Sequence, residues 1–240
     1  RKNPKRVIFA EGEDENMLKA AIEFGKNRLG TPILIGAEKR IKEQLKKIGL
    51  DENHKIEIVN STDTDKRKKY VKHLYKKLQR EGQLERDVDR LVRNDRIAWG
   101  ASMIACKDAD AMVTGNIRHY AASVEKLKKV VSSRLGEEIY GMTMINSKGK
   151  TILVADTNVK DFPSSQRLAN VSKSCVRVAK LFGFDPKVAF LSHSTFGKPV
   201  SKNTKHVRDA IEILKKEKVD FDFDGEMQPD VALNPIYQEI

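Results

Sequence analysis

Residues 7–36 read VIFAEGEDENMLKAAIEFGKNRLGTPILIG, and the spacing of apolar residues in this stretch decides the fold class. Val7 to Ala10 form a short apolar run that empties into Glu11-Gly12-Glu13-Asp14. From Glu15 to Leu29, Met17, Leu18, Ala21, Ile22 and Phe24 recur at helical spacing, with Gly30 as the expected C-cap. Pro32 to Gly36 reads as a second strand and residues 38–48 as a second helix, with Ile41, Leu45 and Ile48 on one face. Ile56 to Val59 is a third strand. Strands alternating with helices in this way predict an α/β protein, a parallel sheet with helices on its faces.

Outward from that unit, residues 66–81 and 84–106 predict two more helices, and Ala111 to Thr114 a buried strand running into Gly115. A helix is expected from Tyr120 to Val131. The pattern then changes. Gly141 to Asn146 and Thr151 to Ala155 flank Ser147-Lys148-Gly149-Lys150, a hairpin signal. Ser164 is the expected N-cap of a helix reaching Phe182. Lys187 to Ser192 reads as a strand, 202–217 as a helix, and Phe221 to Phe223 as a last strand before Asp224-Gly225-Glu226. The second half thus predicts a mixed sheet with flanking helices. The expected domains are 1–136 and 137–240, divided near Gly136. A loop feeding a further helix after Pro229 gives the expectation that the C-terminal part of the fold is missing.

The chain has 240 residues, 39% hydrophobic and 33% charged, with a net charge of +12 and two Cys. Two Cys exclude a disulfide framework, and no apolar run reaches membrane-spanning length. The positive charge is carried mostly by Lys on amphipathic helical stretches, such as Lys66, Lys68, Lys69, Lys72, Lys76 and Lys77 around Tyr70 and Leu74. With no helix-turn-helix, zinc-finger or RNP-like pattern, nucleic acid is not the expected partner, nor is a membrane.

In open α/β sheets ligands gather beyond the carboxyl ends of strands. Four polar segments sit there: Glu11 to Asp14, Gly115 to Tyr120, Asp156 to Asn158 and Ser192 to Gly197. Ser192-His193-Ser194-Thr195-Phe196-Gly197 offers hydroxyls and a glycine that suit either a turn or an anion cradle, although it is neither a P-loop nor a dinucleotide fingerprint. Arg118 and His119 are the corresponding candidates in the Gly115 loop. Adjacent His193 and Ser194 lack the strand-to-helix elbow of a nucleophile. Asp156, Asp224 and Glu226 could ligate a divalent cation or simply be solvated. Five scattered His and two distant Cys make no zinc site, and Cys106 and Cys175 read as inert packing. The residues alone lead to an α/β protein with an anionic-metabolite site.

Seven colinear segments resemble the phosphate acetyltransferase/phosphate butyryltransferase family: VIFAEG (7–12), PILIG (32–36), DADAMVTG (108–115), LVADTN (153–158), FGFDPKVAFLS (182–192), HSTFG (193–197) and DGEMQPDVAL (224–233). The resemblance implies two three-layer α/β/α domains of the isocitrate/isopropylmalate dehydrogenase-like, phosphotransacetylase fold. It also implies an acyl-CoA site between them, acetyl transfer between coenzyme A and phosphate, and a dimer or larger homo-oligomer. Asp224-Gly225-Glu226-Met227-Gln228 stands where stand-alone acetyltransferases resemble DGPLQ. With Leu191 to Ser194 before it, this form is most similar to the C-terminal domain of bacterial hybrid NADP-dependent malic enzymes, regarded as a regulatory domain that senses acetyl-CoA and helps assemble the oligomer.

Departures from the family pattern point the same way. Glu125 falls where the resemblance implies an anion-binding Arg. A second family Arg falls near Leu78, where only Arg80 is close. The family's catalytic Ser and Asp are expected beyond Ile240. The resemblance therefore implies no catalytic residues in this chain and acetyl-CoA as effector; no metal site and a cytoplasmic protein are also expected. The expected ligand contacts are Asn116, Arg118, Ser194, Thr195 and Gly197, all in the strand-end loops. NADP and Mg or Mn are expected only in a preceding malic-enzyme domain. A truncated phosphate acetyltransferase and a ligand-free dimerisation module are the other readings.

Overall fold

The computed structural model describes residues 3–49, 56–133, 137–157, 159, 162–198 and 204–238. It divides into two compact units, Arg1–Ser132 and Ser133–Ile240; Gly136 and Asn158, both singled out above, lie outside the described residues.

Unit 1 is built on four parallel strands, β1 (Lys5–Phe9), β2 (Gly30–Ile35), β3 (Glu57–Val59) and β4 (Ala111–Val113), in the order β3-β2-β1-β4. Ile8 pairs with Ile33 and Phe9 with Leu34 across β1 and β2, so period-two alternation sends neighbours to opposite faces. Phe9 and Leu34 pack with Met17, Leu18 and Ile22 of α1 (Glu15–Lys26) and Ile41 of α2 (Glu38–Lys47). On the other face Ile8, Ile33 and Ile35 pack with Tyr70 and Leu74 of α3 (Thr64–Leu78), Val88 and Val92 of α4 (Glu85–Asn94), and Trp99 and Met103 of α5 (Arg96–Ala105). The predicted layers of helices on both faces of a parallel sheet are present in this unit.

Two local readings change. The left-handed turn after α1 is made by Arg28 (φ 52°) rather than Gly30. Gly30 instead opens β2, where a Cβ would run into the Lys5 carbonyl and the Phe24 ring. The single helix expected over 84–106 is two, because Asp95 is extended (φ −121°, ψ 114°) and its side chain accepts from the N–H of Ile97 and Ala98. It ends α4 and caps α5, and the apolar periodicity runs through the break without registering it. Unit 1 closes with α6 (Tyr120–Val130).

Unit 2 holds a hairpin, β5 (Met142–Ser147) and β6 (Lys150–Ala155), whose turn residues Lys148 (φ 48°) and Gly149 (φ 75°) are both left-handed, as a two-residue hairpin turn requires. α7 (Ser165–Leu181) is capped by Ser164, which accepts from the Arg167 N–H. β7 (Val188–Leu191) pairs in parallel with β8 (Phe223–Met227), and α8 (Lys205–Glu217) packs on α7. Phe190, Ala169, Val207, Ala210, Ile211 and Leu214 form the core. The expected mixed sheet is two separate two-stranded sheets among the described residues. Asp224, Gly225 and Glu226 lie inside β8 rather than after it. α9 (Pro229–Leu233) and α10 (Pro235–Gln238) follow.

Candidate functional site

In unit 1 the chain winds from β1 to β2 and β3 on one side and returns to β4 on the other, so the β1/β4 carboxyl ends form the topological switch point where ligands collect. Glu11 follows β1 there and is 2% exposed. Its Oε1 accepts from Thr114 Oγ1 at 2.9 Å and from the Gly115 N–H at 3.1 Å, knitting the two strand ends together. Asp14 caps α1 by accepting from the Met17 N–H, and the same oxygen accepts from Asn116 Nδ2 at 2.6 Å. Arg118 donates from Nη1 to Asp95 Oδ2 at 2.7 Å. Asp95 was not foreseen as part of the site; the only sequence signal for it is a capping residue inside a long periodic stretch.

Glu13 accepts from the Ala37 N–H at 2.9 Å and from Arg96 at 2.7 Å. Burial works against its charge, but those donors, with Arg40, hold its carboxyl below the usual range. This edge therefore carries several carboxylates, each anchoring a donor. Asn116 and Arg118 are both exposed and both held by an acid. The Asp95 bond uses one of the five donors of Arg118.

In unit 2 the loop after β7 closes around Glu226 of β8, which is fully buried. Its Oε1 accepts from Arg208 Nη1 at 2.7 Å and from the Gly197 N–H at 3.2 Å. Its carbonyl accepts from the Phe196 N–H at 2.7 Å. Thr195 and Lys198 exchange backbone hydrogen bonds of 3.0 Å, and Thr195 Oγ1 accepts from the Gln228 N–H. Gln228 Nε2 donates to the His193 carbonyl at 2.8 Å. Burial would raise the Glu226 pKa, but hydrogen bonds from Ser194, Thr204 and Arg208 and the Arg208 charge outweigh it and hold the carboxyl low. Arg208 was not foreseen; it is an Arg on a helix whose other cations are mostly Lys.

Ser194, Thr195 and Gly197 thus share one hydrogen-bonded loop in unit 2, while Asn116 and Arg118 share one in unit 1. Ser194 is fully buried, with its Oγ 3.3 Å from that of Ser192. It is a loop-shaping group, and its hydroxyl is turned to Ser192 and Glu226 rather than paired with His193 as a nucleophile would need.

The three acids considered for a cation are engaged elsewhere. Asp156 Oδ1 accepts from Arg167 at 2.8 Å, a buried pair, and Arg167 also donates to the more exposed Glu138 at 2.6 Å. Glu226 is held by Arg208, and Asp224 accepts from the Gly225 N–H. Among the described residues no three His, Cys, Asp or Glu side chains converge on a metal position. Burial raises the pKa of both Cys106 and Cys175. Glu125 is exposed and paired with Lys129 at 2.8 Å, a bond that keeps it ionised. Leu78 is 3% exposed in the unit 1 core. Among the described residues no helix is long and apolar enough to cross a membrane.

This geometry has close relatives. The chain is 42% identical over 235 residues to an NADP-dependent malic enzyme of Rhizobium meliloti, covering 98% of this chain and 31% of that protein. It is 28% identical to a phosphate acetyltransferase of Bacillus subtilis, covering 98% of this chain and 72% of that one. The crystal structure of a phosphotransacetylase from Streptococcus pyogenes superposes with a TM-score of 0.85 at 28% identity, covering 99% of this chain and 72% of that one. The sequence profile of the phosphate acetyl/butaryl transferases matches residues 1–239, and the chain belongs to that family.

Proposed function

We propose that this chain is the phosphotransacetylase-like part of a cytoplasmic NADP-dependent, oxaloacetate-decarboxylating malic enzyme. In this reading it binds acetyl-CoA as a regulator, takes part in homo-oligomer contacts and transfers no acetyl group itself. The observation that carries the reading is the match to a malic enzyme along 98% of this chain but only 31% of that protein. Malate oxidation, NADP and Mg or Mn then belong to sequence outside this chain. The finer fold assignment, an isocitrate/isopropylmalate dehydrogenase-like α/β/α arrangement, is part of the same proposal and is supported by the parallel β3-β2-β1-β4 sheet.

For the ligand, Asn116 and Arg118 offer donors at the unit 1 switch point. Thr195 and Gly197 form the corresponding loop in unit 2, held from inside by Ser194. Within unit 1 the donors of Asn116 and Arg118 suit the phosphates and amides of an acyl-CoA, and within unit 2 the Thr195 hydroxyl is the group left to donate. Two features argue against transfer chemistry. An ionised Glu125 repels an anion at the position where the family resemblance implies an Arg, and apolar Leu78 fills the core near the second. A stand-alone phosphate acetyltransferase is the alternative, favoured by the 72% coverage of the Streptococcus pyogenes structure.

Two assays on the intact protein separate the readings: malate-dependent NADP reduction with and without acetyl-CoA, and acetyl phosphate formation from acetyl-CoA and phosphate. NADP reduction that responds to acetyl-CoA, with no acetyl phosphate formed, is expected. Sustained acetyl phosphate turnover without malate oxidation establishes the alternative.

A further inference from the structure

Six non-glycine residues have positive φ among the described residues: Arg28, Lys107, Lys148, Asp156, Phe196 and Lys218. Arg28, Lys107 and Lys218 terminate helices, Lys148 makes the hairpin turn, and Asp156 is bonded to Arg167. Each of these five is polar, and its conformation has a local use. Phe196 is the one apolar member, at φ 45°, and the residue is 56% exposed. A bulky residue in the left-handed region is a genuine outlier. The turn itself would be served better by glycine, which already occupies the next position at φ 83°.

The ring therefore helps neither the backbone nor the core, yet the backbone that carries it is held by several hydrogen bonds. The Phe196 N–H is bonded to the Glu226 carbonyl, the Gly197 N–H to the buried Glu226 carboxylate, and Thr195 and Lys198 close the turn around it. Strain at an exposed, hydrogen-bonded position beyond a strand end is the kind that function maintains. Lys198, exposed two residues away, places an ammonium in the same turn. An exposed aromatic ring and an exposed lysine carried by one turn suit a nucleotide, whose base can stack while its phosphates are neutralised.

We propose that Phe196 is the stacking platform for a flat heteroaromatic group of the ligand, the adenine of an acyl-CoA. This rests on the acyl-CoA reading above and adds both a residue and the part of the ligand it takes.

The test is calorimetric titration of the intact protein with acetyl-CoA, and competition with acetyl-pantetheine, which lacks the nucleotide. Phe196→Gly keeps the backbone conformation without the ring, and Phe196→Trp keeps a ring. Phe196→Gly is expected to weaken acetyl-CoA about tenfold, leaving acetyl-pantetheine unchanged, while Phe196→Trp stays within about twofold of wild type. Unchanged acetyl-CoA affinity in Phe196→Gly, or equal losses for both ligands, overturns the assignment of Phe196. Absence of acetyl-CoA binding in the wild type overturns the acyl-CoA reading and this proposal with it.

Discussion

Glu226 shows how one buried charge organises a loop. Its carboxylate is fully buried, but Arg208, with its side chain 38% exposed, stays in partial contact with water. Removing a buried partner leaves the other group uncompensated, and the exposure of Arg208 moderates that loss. Glu226→Ala is therefore expected to cost about 2 kcal/mol, measured as a urea midpoint shift at neutral pH. The pH dependence has a definite sign. The folded pKa lies below the ordinary 4.5, so the folded state binds fewer protons than the unfolded chain in that range. The contribution is complete above about pH 4.5 and disappears as pH falls through the lower folded value. Urea midpoints measured from neutral to acid pH should converge for wild type and Glu226→Gln at the acid end; a constant gap would exclude this role. The sequence places Glu226 in a distinctive motif but cannot foresee Arg208 as its partner, 18 residues earlier on α8.

At the scale of elements, Asp95 joins two functions. It caps α5 through the Ile97 and Ala98 N–H groups with one oxygen and orients Arg118 with the other. Asp95→Asn keeps an N-cap acceptor but loses the ion pair, whereas Asp95→Ala loses both. Asp95→Ala is expected to destabilise the protein by about 1–2 kcal/mol and Asp95→Asn by less, read as thermal midpoints. Equal midpoints for the two variants would show that the cap contributes little. Element type was legible here because α1, α2 and α3 each bury one apolar stripe against a sheet. The break at Asp95 was not, because the apolar pattern serves α4 and α5 in succession against the same core. The Lys148-Gly149 turn was legible, since left-handed hairpin turns select such residues.

At the scale of the molecule, each unit has its own core, and the sole Trp reports on one of them. Trp99 is fully buried in unit 1, edge-on to Tyr70 with ring centroids 5.1 Å apart. Arg167→Met in unit 2 strands Asp156, whose side chain is 8% exposed. It is expected to cost about 3 kcal/mol there. The loss should appear in the circular dichroism melt while the Trp99 fluorescence transition moves little; matching shifts would mean that the two units unfold as one cooperative system. By itself the sequence determined the α/β class, the strand-helix order of unit 1 apart from the α4/α5 break, the hairpin and the family, because those follow from local periodicity, turn chemistry and motif order. Only the tertiary structure decided that the described residues of unit 2 form two separate small sheets, that Ser194 is buried, and that Arg118, Asn116 and Gly197 are each anchored by an acid. Those outcomes depend on which distant side chains share a desolvated space, and a buried charge draws a partner from wherever in the chain packing brings one within reach.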